Sequence, residues 1–237
     1  MPSLNDAVLL ITGANGGIGR ELVAAALARG AATVYAAART PRTWDDPRVV
    51  PLHLDVTDPA SVRAAVEAAS DVTVVINNAG ANPPTASLLD IDETDIAANV
   101  EVNFFGPVRV ARAFAPVISG RPGAALVDIH SIASWYAFGG VYSASKAAMW
   151  SATNSLRLEL APRGVHVMGV HMGYVDTPMA AHASGPKLTP ADLAGQVLDG
   201  LEAGRYEVLA DDLTRQVRAS LAQPVEALYP ELTAPAE

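Results

Sequence analysis

Residues 7–30 read AVLLITGANGGIGRELVAAALARG, and the reading of this stretch decides the fold. "AVLLIT" (7–12) is an unbroken apolar run of strand length,. "GIGRELVAAALARG" (17–30) is an alanine- and leucine-rich run that suits a helix ending at Gly30,. Between them, "TGANGGIG" (12–19) sets Gly13, Gly17 and Gly19 in a G-x-x-x-G-x-G pattern, with Asn15 and Ile18 inside it. Glycines let a backbone turn tightly and approach a ligand closely. The helix start then offers free N–H groups and a positive dipole end to a pyrophosphate. Gly13, Asn15, Gly17, Ile18 and Gly19 are therefore candidate cofactor contacts. A glycine-rich turn that holds nothing is the alternative. No Lys-Ser/Thr pair follows the glycines, so the loop suits a dinucleotide better than ATP.

The same alternation continues outward. "TVYAAA" (33–38), "VVPLHLDV" (49–56), "VTVVINN" (72–78), "AALVDIHS" (124–131) and "VHVMGVHM" (165–172) read as strands, making at least six with the first. "PASVRAAVEAAS" (59–70) reads as a helix between two of them. Apolar runs without strict alternation suit strands covered on both faces, as in a parallel sheet. Strands separated by such helices give right-handed βαβ units. The expected fold is α/β, a doubly wound parallel sheet of Rossmann type with helices on both faces. One domain spans 1–237, with neither repeats nor a long linker. "AAHASGPKL" (180–188) is a short turn-prone loop, and Thr189-Pro190 could start a helix,. "YEVLAD" (206–211) reads as a last strand and 212–222 as a polar helix. The tail from 223 to 237 carries three prolines and is expected to fray or lie on the surface,.

Composition excludes several classes. Half of the 237 residues are hydrophobic, ample for one sizeable core,. The chain has no cysteine, so it can form neither disulfides nor thiolate metal sites, which fits a reducing cytoplasm; no metal is expected,. A net charge of −9 argues against nucleic acid as a partner,. There is no basic n-region leading into an apolar h-region, and Glu21 and Arg29 interrupt the longest apolar stretch. No secretory signal and no membrane span are expected.

Two further places invite chemistry. Dinucleotide folds often put an acidic residue after the second strand to hold the ribose. Here Ala38 offers no carboxylate and Arg39 follows it. A guanidinium there would take a 2′-phosphate and stack on adenine, favouring NADP(H) over NAD(H); a solvated arginine is the plain alternative. In "VYSASKAAM" (141–149), Tyr142 and Lys146 stand at i and i+4 and share a helix face,. A cation beside a phenol stabilises the phenolate and suits proton transfer near neutral pH. A surface lysine over a partly buried tyrosine gives the same spacing.

With "TGANGGIG", "NNAG" (77–80) and "YSASK" (142–146) in this order, the chain resembles the short-chain dehydrogenase/reductase family, in its single-domain branch. The likeness runs from residue 7 to about 179. It implies that Tyr142 is the general acid or base, that Lys146 lowers its pKa and holds the ribose hydroxyls, and that Ser131 of "DIHSIAS" polarises the substrate oxygen. Ser134 is a rival for that role on chemistry alone. Asn103 of "EVNFFGP" matches the asparagine whose main chain holds a water on the lysine; a helix asparagine bonding a backbone group is the alternative. Asp55 and Val56 of "LDVTD" would line the adenine, and Asn77, Asn78, Ala79 and Gly80 would support the sheet centre and pass beneath the cofactor, Asn78 equally well as a buried structural amide. "HMGYVDTPM" (171–179) resembles the family's nicotinamide segment with Met172 in place of a common proline. Gly173 would lie near the ring, with Val175 and Thr177 on its carboxamide. The segment between Ser131 and Tyr142 is a little short for the family. His130 stands where a small residue is common, as a core imidazole or a minor influence on the site.

The implied activity is hydride transfer between NADP(H) and a small-molecule carbonyl or secondary alcohol. A catalytically silent dinucleotide-binding regulator or scaffold on the same fold is the alternative. A sugar-nucleotide epimerase would need a substrate domain that a chain of this length lacks. Trp135, Tyr136 and Phe138 suit an apolar pocket or the core. The resemblance implies a homodimer through the helix from Tyr142 and the helix near Asn103, with Ala147, Ala148, Ser151 and Leu158 on its outer face; a tetramer would need a tail contact.

Overall fold

The computed structural model describes residues 2–232. Seven strands form one sheet: β1 (Val8–Thr12), β2 (Thr33–Ala38), β3 (Val49–His53), β4 (Val74–Asn77), β5 (Ala125–Ile129), β6 (His166–His171) and β7 (Glu207–Leu209). Their order is β3-β2-β1-β4-β5-β6-β7, and every pairing is parallel. The order reverses between β1 and β4, so a crevice opens at their carboxyl ends, where ligands sit in such sheets. Each of the expected strands forms, β2 with its expected bounds and the others shorter by one or a few residues, and "YEVLAD" supplies the seventh.

Helices cover both faces: α1 (Gly17–Ala28), α2 (Pro59–Ala68), α3 (Glu93–Val100), α4 (Gly106–Ile118), α5 (Val141–Leu160), α6 (Pro190–Glu202), α7 (Asp212–Ser220) and α8 (Val225–Leu228). One core layer packs Leu9, Ile11, Leu22 and Leu198 between the sheet and α1 with α6. The other packs Leu10, Val75, Phe114 and Leu126 beneath α2 and α4. Both faces of the central strands are thereby buried, which is why their sequences lack an alternating pattern.

Helix starts are closed in an instructive way. Asp58, Thr189 and Asp211 cap α2, α6 and α7 by accepting backbone amides,. Gly16, before α1, has no side chain to do so, and its N–H groups stay available,. Between α3 and α4 the chain forms one π-helical turn, Glu101–Phe105, centred on Asn103. Such turns are rare and concentrate at functional sites.

Of the two expectations for the tail, fraying or lying on the surface, the described part takes the second: residues 223–232 are exposed or half-buried. Residues 225–228 form α8, and Leu228 packs on the small cluster of Ile132, Trp135 and Val217. Residues 233–237 of that stretch lie outside the described residues. Among the described residues, no helix is long and apolar enough to cross a membrane.

Candidate active site

The glycine loop is held by its neighbours' backbones. Gly13 and Gly17 have φ of +67° and +51°, a region that side chains rarely adopt,. A Cβ on Gly19 would lie 2.2 Å from the Gly13 carbonyl, so only glycine lets α1 start against the loop. Asn78 donates to the carbonyls of Thr12 (2.9 Å) and Gly13 (3.3 Å), and its backbone N–H donates to the Thr12 hydroxyl at 3.0 Å. Of its two expected roles, the side chain therefore fills the structural one. The Ala79 amide also donates to Thr12, at 3.0 Å.

Asn15 braces the turn after β2, donating to the Thr40 carbonyl (2.6 Å) and accepting from the Arg42 amide (3.3 Å). That turn carries two exposed arginines, Arg39 and Arg42, the latter with its guanidinium 4.9 Å over the Trp44 ring. Arg42 was missed from sequence, although a second basic residue three positions after Arg39 was the available signal. Asp55 accepts from the amide and hydroxyl of Thr57 (2.9 and 2.7 Å), which hold its carboxyl below the usual range, with Arg39 adding to the effect. Val56 is buried; a Cβ on Gly106 would touch its methyl at 2.8 Å. Its side chain seats α4 rather than facing the crevice.

At the ends of β4 and β5 the remaining candidates converge. Asn103 is 1% exposed, and its amide group accepts from the Ala81 N–H (2.9 Å) and donates to the Ala81 carbonyl (2.8 Å), to Asn99 (3.0 Å) and to Ser145 (3.3 Å). It thus fixes the segment containing Gly80. A Cβ on Gly80 would come within 3.3 Å of Asn103 Oδ1 and 3.9 Å of Lys146 Nζ, so glycine keeps this corner open. Lys146 is buried and donates from Nζ to the Ile129 carbonyl at 2.9 Å. Burial lowers its pKa to about 8, against an opposing pull from Asp128.

Asp128 is the second residue that sequence reasoning missed, a carboxylate inside the apolar run "ALVDI". It is fully buried, accepts from Asn77 (2.9 Å) and Thr153 (2.7 Å), and burial raises its pKa despite those bonds. It lies in the floor beneath the lysine and gives Lys146 a reason to stay charged.

Ser131 caps a short 3₁₀ turn, Ile132–Ser134, its hydroxyl accepting from the Ala133 amide at 3.1 Å. Its hydroxyl also stands close enough to the Tyr142 phenol to stabilise the phenolate, whereas Ser134, its rival, is buried with its hydroxyl unpartnered. The Tyr142 pKa is raised, not lowered as expected from the neighbouring lysine. Burial pushes the half-buried phenol up, the Ser131 hydroxyl pulls it partly back, and Tyr174 adds to the rise. The physical reason is distance. Lys146 Nζ sits 5.8 Å from the Tyr142 ring centroid and is directed at the Ile129 carbonyl.

His130 is a core imidazole, as one expected reading had it. It stacks on His171 (centroids 4.7 Å apart), which stacks on Trp135 (3.9 Å). Burial keeps both histidines neutral, lowering His171 to about 3. Trp135 is 7% exposed and belongs to the core.

The segment after β6 closes the crevice. Gly173 donates its amide to Asp211 at 2.7 Å, and a Cβ on Gly17 would meet Thr177 at 3.2 Å, which places this segment over the glycine loop. Val175 is buried and bridges to Leu188, while Thr177 donates to the Val175 carbonyl at 3.2 Å. The loop 180–188 is therefore stitched shut at its base, and Lys187 donates across it to the Ala180 carbonyl at 2.8 Å.

The fold and this cluster define a Rossmann-type protein with serine, tyrosine and lysine side chains gathered at the carboxyl ends of its strands. A family model described as short chain dehydrogenase matches residues 7–187. An NADPH-dependent 1-acyldihydroxyacetone phosphate reductase of Schizosaccharomyces pombe is 37% identical over 188 residues, covering 75% of this chain and 62% of that protein's length. A 1-deoxy-11-beta-hydroxypentalenate dehydrogenase of Streptomyces exfoliatus is 30% identical, with 96% of this chain and 95% of that protein covered. Among solved structures, a short chain dehydrogenase from Burkholderia cenocepacia in complex with NADP superposes with a TM-score of 0.90 at 35% identity, covering 98% of this chain and 100% of that one. The chain belongs to the short-chain dehydrogenase/reductase family and is an oxidoreductase of the kind acting on CH–OH and C=O groups.

The residues present fit the nicotinamide dinucleotide that such a fold implies. The start of α1 is uncapped, and a Cβ on Gly16 would meet nothing within 4 Å. The open corner at Gly80 lies directly beside Lys146.

Proposed function

We propose that this chain is an NADP(H)-preferring oxidoreductase for a carbonyl or secondary alcohol, with Tyr142 as the proton-transferring residue. The observation that carries this reading is the Ser131–Tyr142 hydroxyl pair standing beside buried Lys146 and the open corner at Gly80. The bound nicotinamide supplies or takes the hydride. Ser131 orients the substrate oxygen toward Tyr142, and Tyr142 gives or takes its proton at the phenol oxygen. The raised pKa keeps Tyr142 protonated at neutral pH, which suits the reduction direction,. Lys146 holds the ribose hydroxyls, and Asn103 keeps the Gly80 segment in place beneath them. Gly13, Gly17, Ile18 and Gly19 present the α1 amides to the pyrophosphate. Gly173, Val175 and Thr177 face the nicotinamide end.

The preference for NADP(H) rests on Arg39 with Arg42, and the NADPH-dependent relative and the NADP-bound neighbour support it. Exposed Phe105 and Leu158 support a homodimer across the helix pair at α4 and α5; light scattering at micromolar concentration should give twice the chain mass, and a monomer would refute it.

The decisive test is Tyr142→Phe. It should bind NADPH as the wild type does and lower kcat on carbonyl substrates by at least about 100-fold, the low end for a lost general acid. Turnover at the wild-type rate would sink the assignment.

A further inference from the structure

Five rings from distant parts of the chain form a ladder beside Tyr142. Tyr229, just after α8, stacks on Tyr136 with centroids 5.1 Å apart and planes 9° from parallel. Tyr136 meets Phe138 at 5.8 Å, Phe138 meets Tyr174 edge-on at 6.1 Å, and Tyr174 meets His182 at 6.1 Å. The ladder reaches the reacting end of the site. The Tyr142 amide donates to the Gly139 carbonyl at 3.0 Å, and a Cβ on Gly139 would lie 3.4 Å from the Tyr142 ring. Phe138 is 40% exposed and Met179, at the start of the neighbouring loop, 44%, whereas Trp135 in the same segment turns into the core. Phe138 thus belongs to no core cluster, while Tyr136 behind it packs on that of Ile132, Trp135 and Val217.

What fixes this wall is the tail. The Ala137 amide lies on the surface, and its partner is the Tyr229 hydroxyl, at 2.9 Å. The other ties of the segment are internal: Gly139 donates to the Ser143 hydroxyl (3.0 Å), which donates to the Tyr136 carbonyl (3.3 Å). Gly140 turns the chain with φ of +55°, where a Cβ would strike the Ala86 carbonyl at 2.2 Å. Leu228 anchors Tyr229 from behind, on the cluster of Ile132, Trp135 and Val217. Ring faces favour flat, apolar groups that can stack on them.

We propose that Tyr229 is a positioning residue for substrate selection: by stacking on Tyr136 and accepting the Ala137 amide it holds Phe138 against Tyr174, giving an aromatic wall for the flat apolar part of a carbonyl or alcohol substrate. The proposal rests on the reading of Tyr142 as the proton-transferring group.

The test compares the full-length wild type with Tyr229→Ala and Tyr229→Phe, using NADPH and two ketones, acetophenone and butanone. Tyr229→Ala should raise KM for acetophenone about tenfold, the scale of a lost pocket contact. Its kcat, its use of butanone and its NADPH affinity should not change, a split that general destabilisation would not produce. Tyr229→Phe keeps the stack and should fall between. Equal losses on both ketones, or none on either, would overturn the proposal.

A second readout needs no turnover. Hydrogen exchange at the Ala137 amide should quicken in both variants, because both remove its acceptor, and unchanged exchange would overturn the bracing role. Should the wild type reduce neither ketone, the Tyr142 reading falls on its own account. Acetophenone binding followed by NMR then decides the wall: weaker binding to Tyr229→Ala upholds it, and no binding to the wild type overturns it.

Discussion

Around the first strand–helix junction the site is made of backbone, and beside Tyr142 it is made of side chains. In the first region a Cβ on Gly19 would collide with the Gly13 carbonyl, and Asn78 and Thr12 tie the loop to β4. In the second, rings from residues 136, 138, 174, 182 and 229 meet in one stacked, one tilted and two edge-on contacts, and several stay partly exposed. A pyrophosphate is the same in every dinucleotide, so a fixed ring of amides serves it. A substrate differs from protein to protein, so replaceable side chains serve that end. The contrast predicts that changes on the glycine side abolish binding outright, whereas changes on the aromatic side alter which substrate is used.

The largest expected effect therefore comes from Gly19→Ala. Its new methyl would sit 2.2 Å from one backbone oxygen and 2.8 Å from Asn78 Nδ2, and the backbone cannot retreat without moving β4. Overpacking costs about 1–3 kcal/mol, and here the loop that must move is the binding loop. NADPH affinity, measured by calorimetry, should fall by about 100-fold or more with the melting temperature also lowered. Affinity within about threefold of wild type would break the contrast, since the loop would then be as adaptable as the aromatic wall.

This difference also explains what the sequence could tell. The strands were legible because a sheet buried on both faces demands continuous apolar runs, and the loop because only glycine satisfies its dihedral angles. Tyr142, Lys146, Ser131 and Asn103 could be placed because the motifs that carry them resemble those of the short-chain dehydrogenase/reductase family. The wall was not legible in the same way. Trp135, Tyr136 and Phe138 are neighbours in sequence, yet one enters the core and another faces solvent, which no pattern of three aromatics reveals. Tyr229 lay in a stretch whose prolines suggested a loose tail. Nor does spacing reveal that Lys146 spends its charge on the Ile129 carbonyl, which is why the phenol pKa moves opposite to expectation.

The two arginines sharpen the comparison, because they are side chains serving the backbone-built half. Arg39→Ala should weaken NADPH relative to NADH by roughly 1.5–3 kcal/mol, the range for hydrogen bonds to charged groups. Arg42 packs on Trp44 and is partly engaged, so Arg42→Ala should shift the preference less. Titrating both cofactors against each variant measures this. Equal wild-type affinities for NADPH and NADH would reduce Arg39 to a solvated side chain. The cofactor half would then be read through its amides alone.

The smallest effect is on pH, and it concerns Lys146, where the two halves meet. Its buried amine titrates at about 8, so the ammonium dominates below that pH and the neutral amine above it. If the ammonium holds the ribose, NADPH affinity should decline as pH rises through 8. One unit above the pKa the charged fraction is about a tenth, so the loss at pH 9 is at most about tenfold. Stability of the protein alone should move the other way. Between about 8 and the ordinary 10.5 the unfolded lysine carries a proton that the folded one lacks, so this group makes stability rise with pH across that window,. Above pH 10 the raised Tyr142 pKa acts in the opposite sense, because the unfolded phenol loses its proton first. Lys146→Met should remove both the decline in affinity and the rise in stability. Affinity that stays flat from pH 7 to 9 in the wild type would show that the ribose is held by something other than this ammonium.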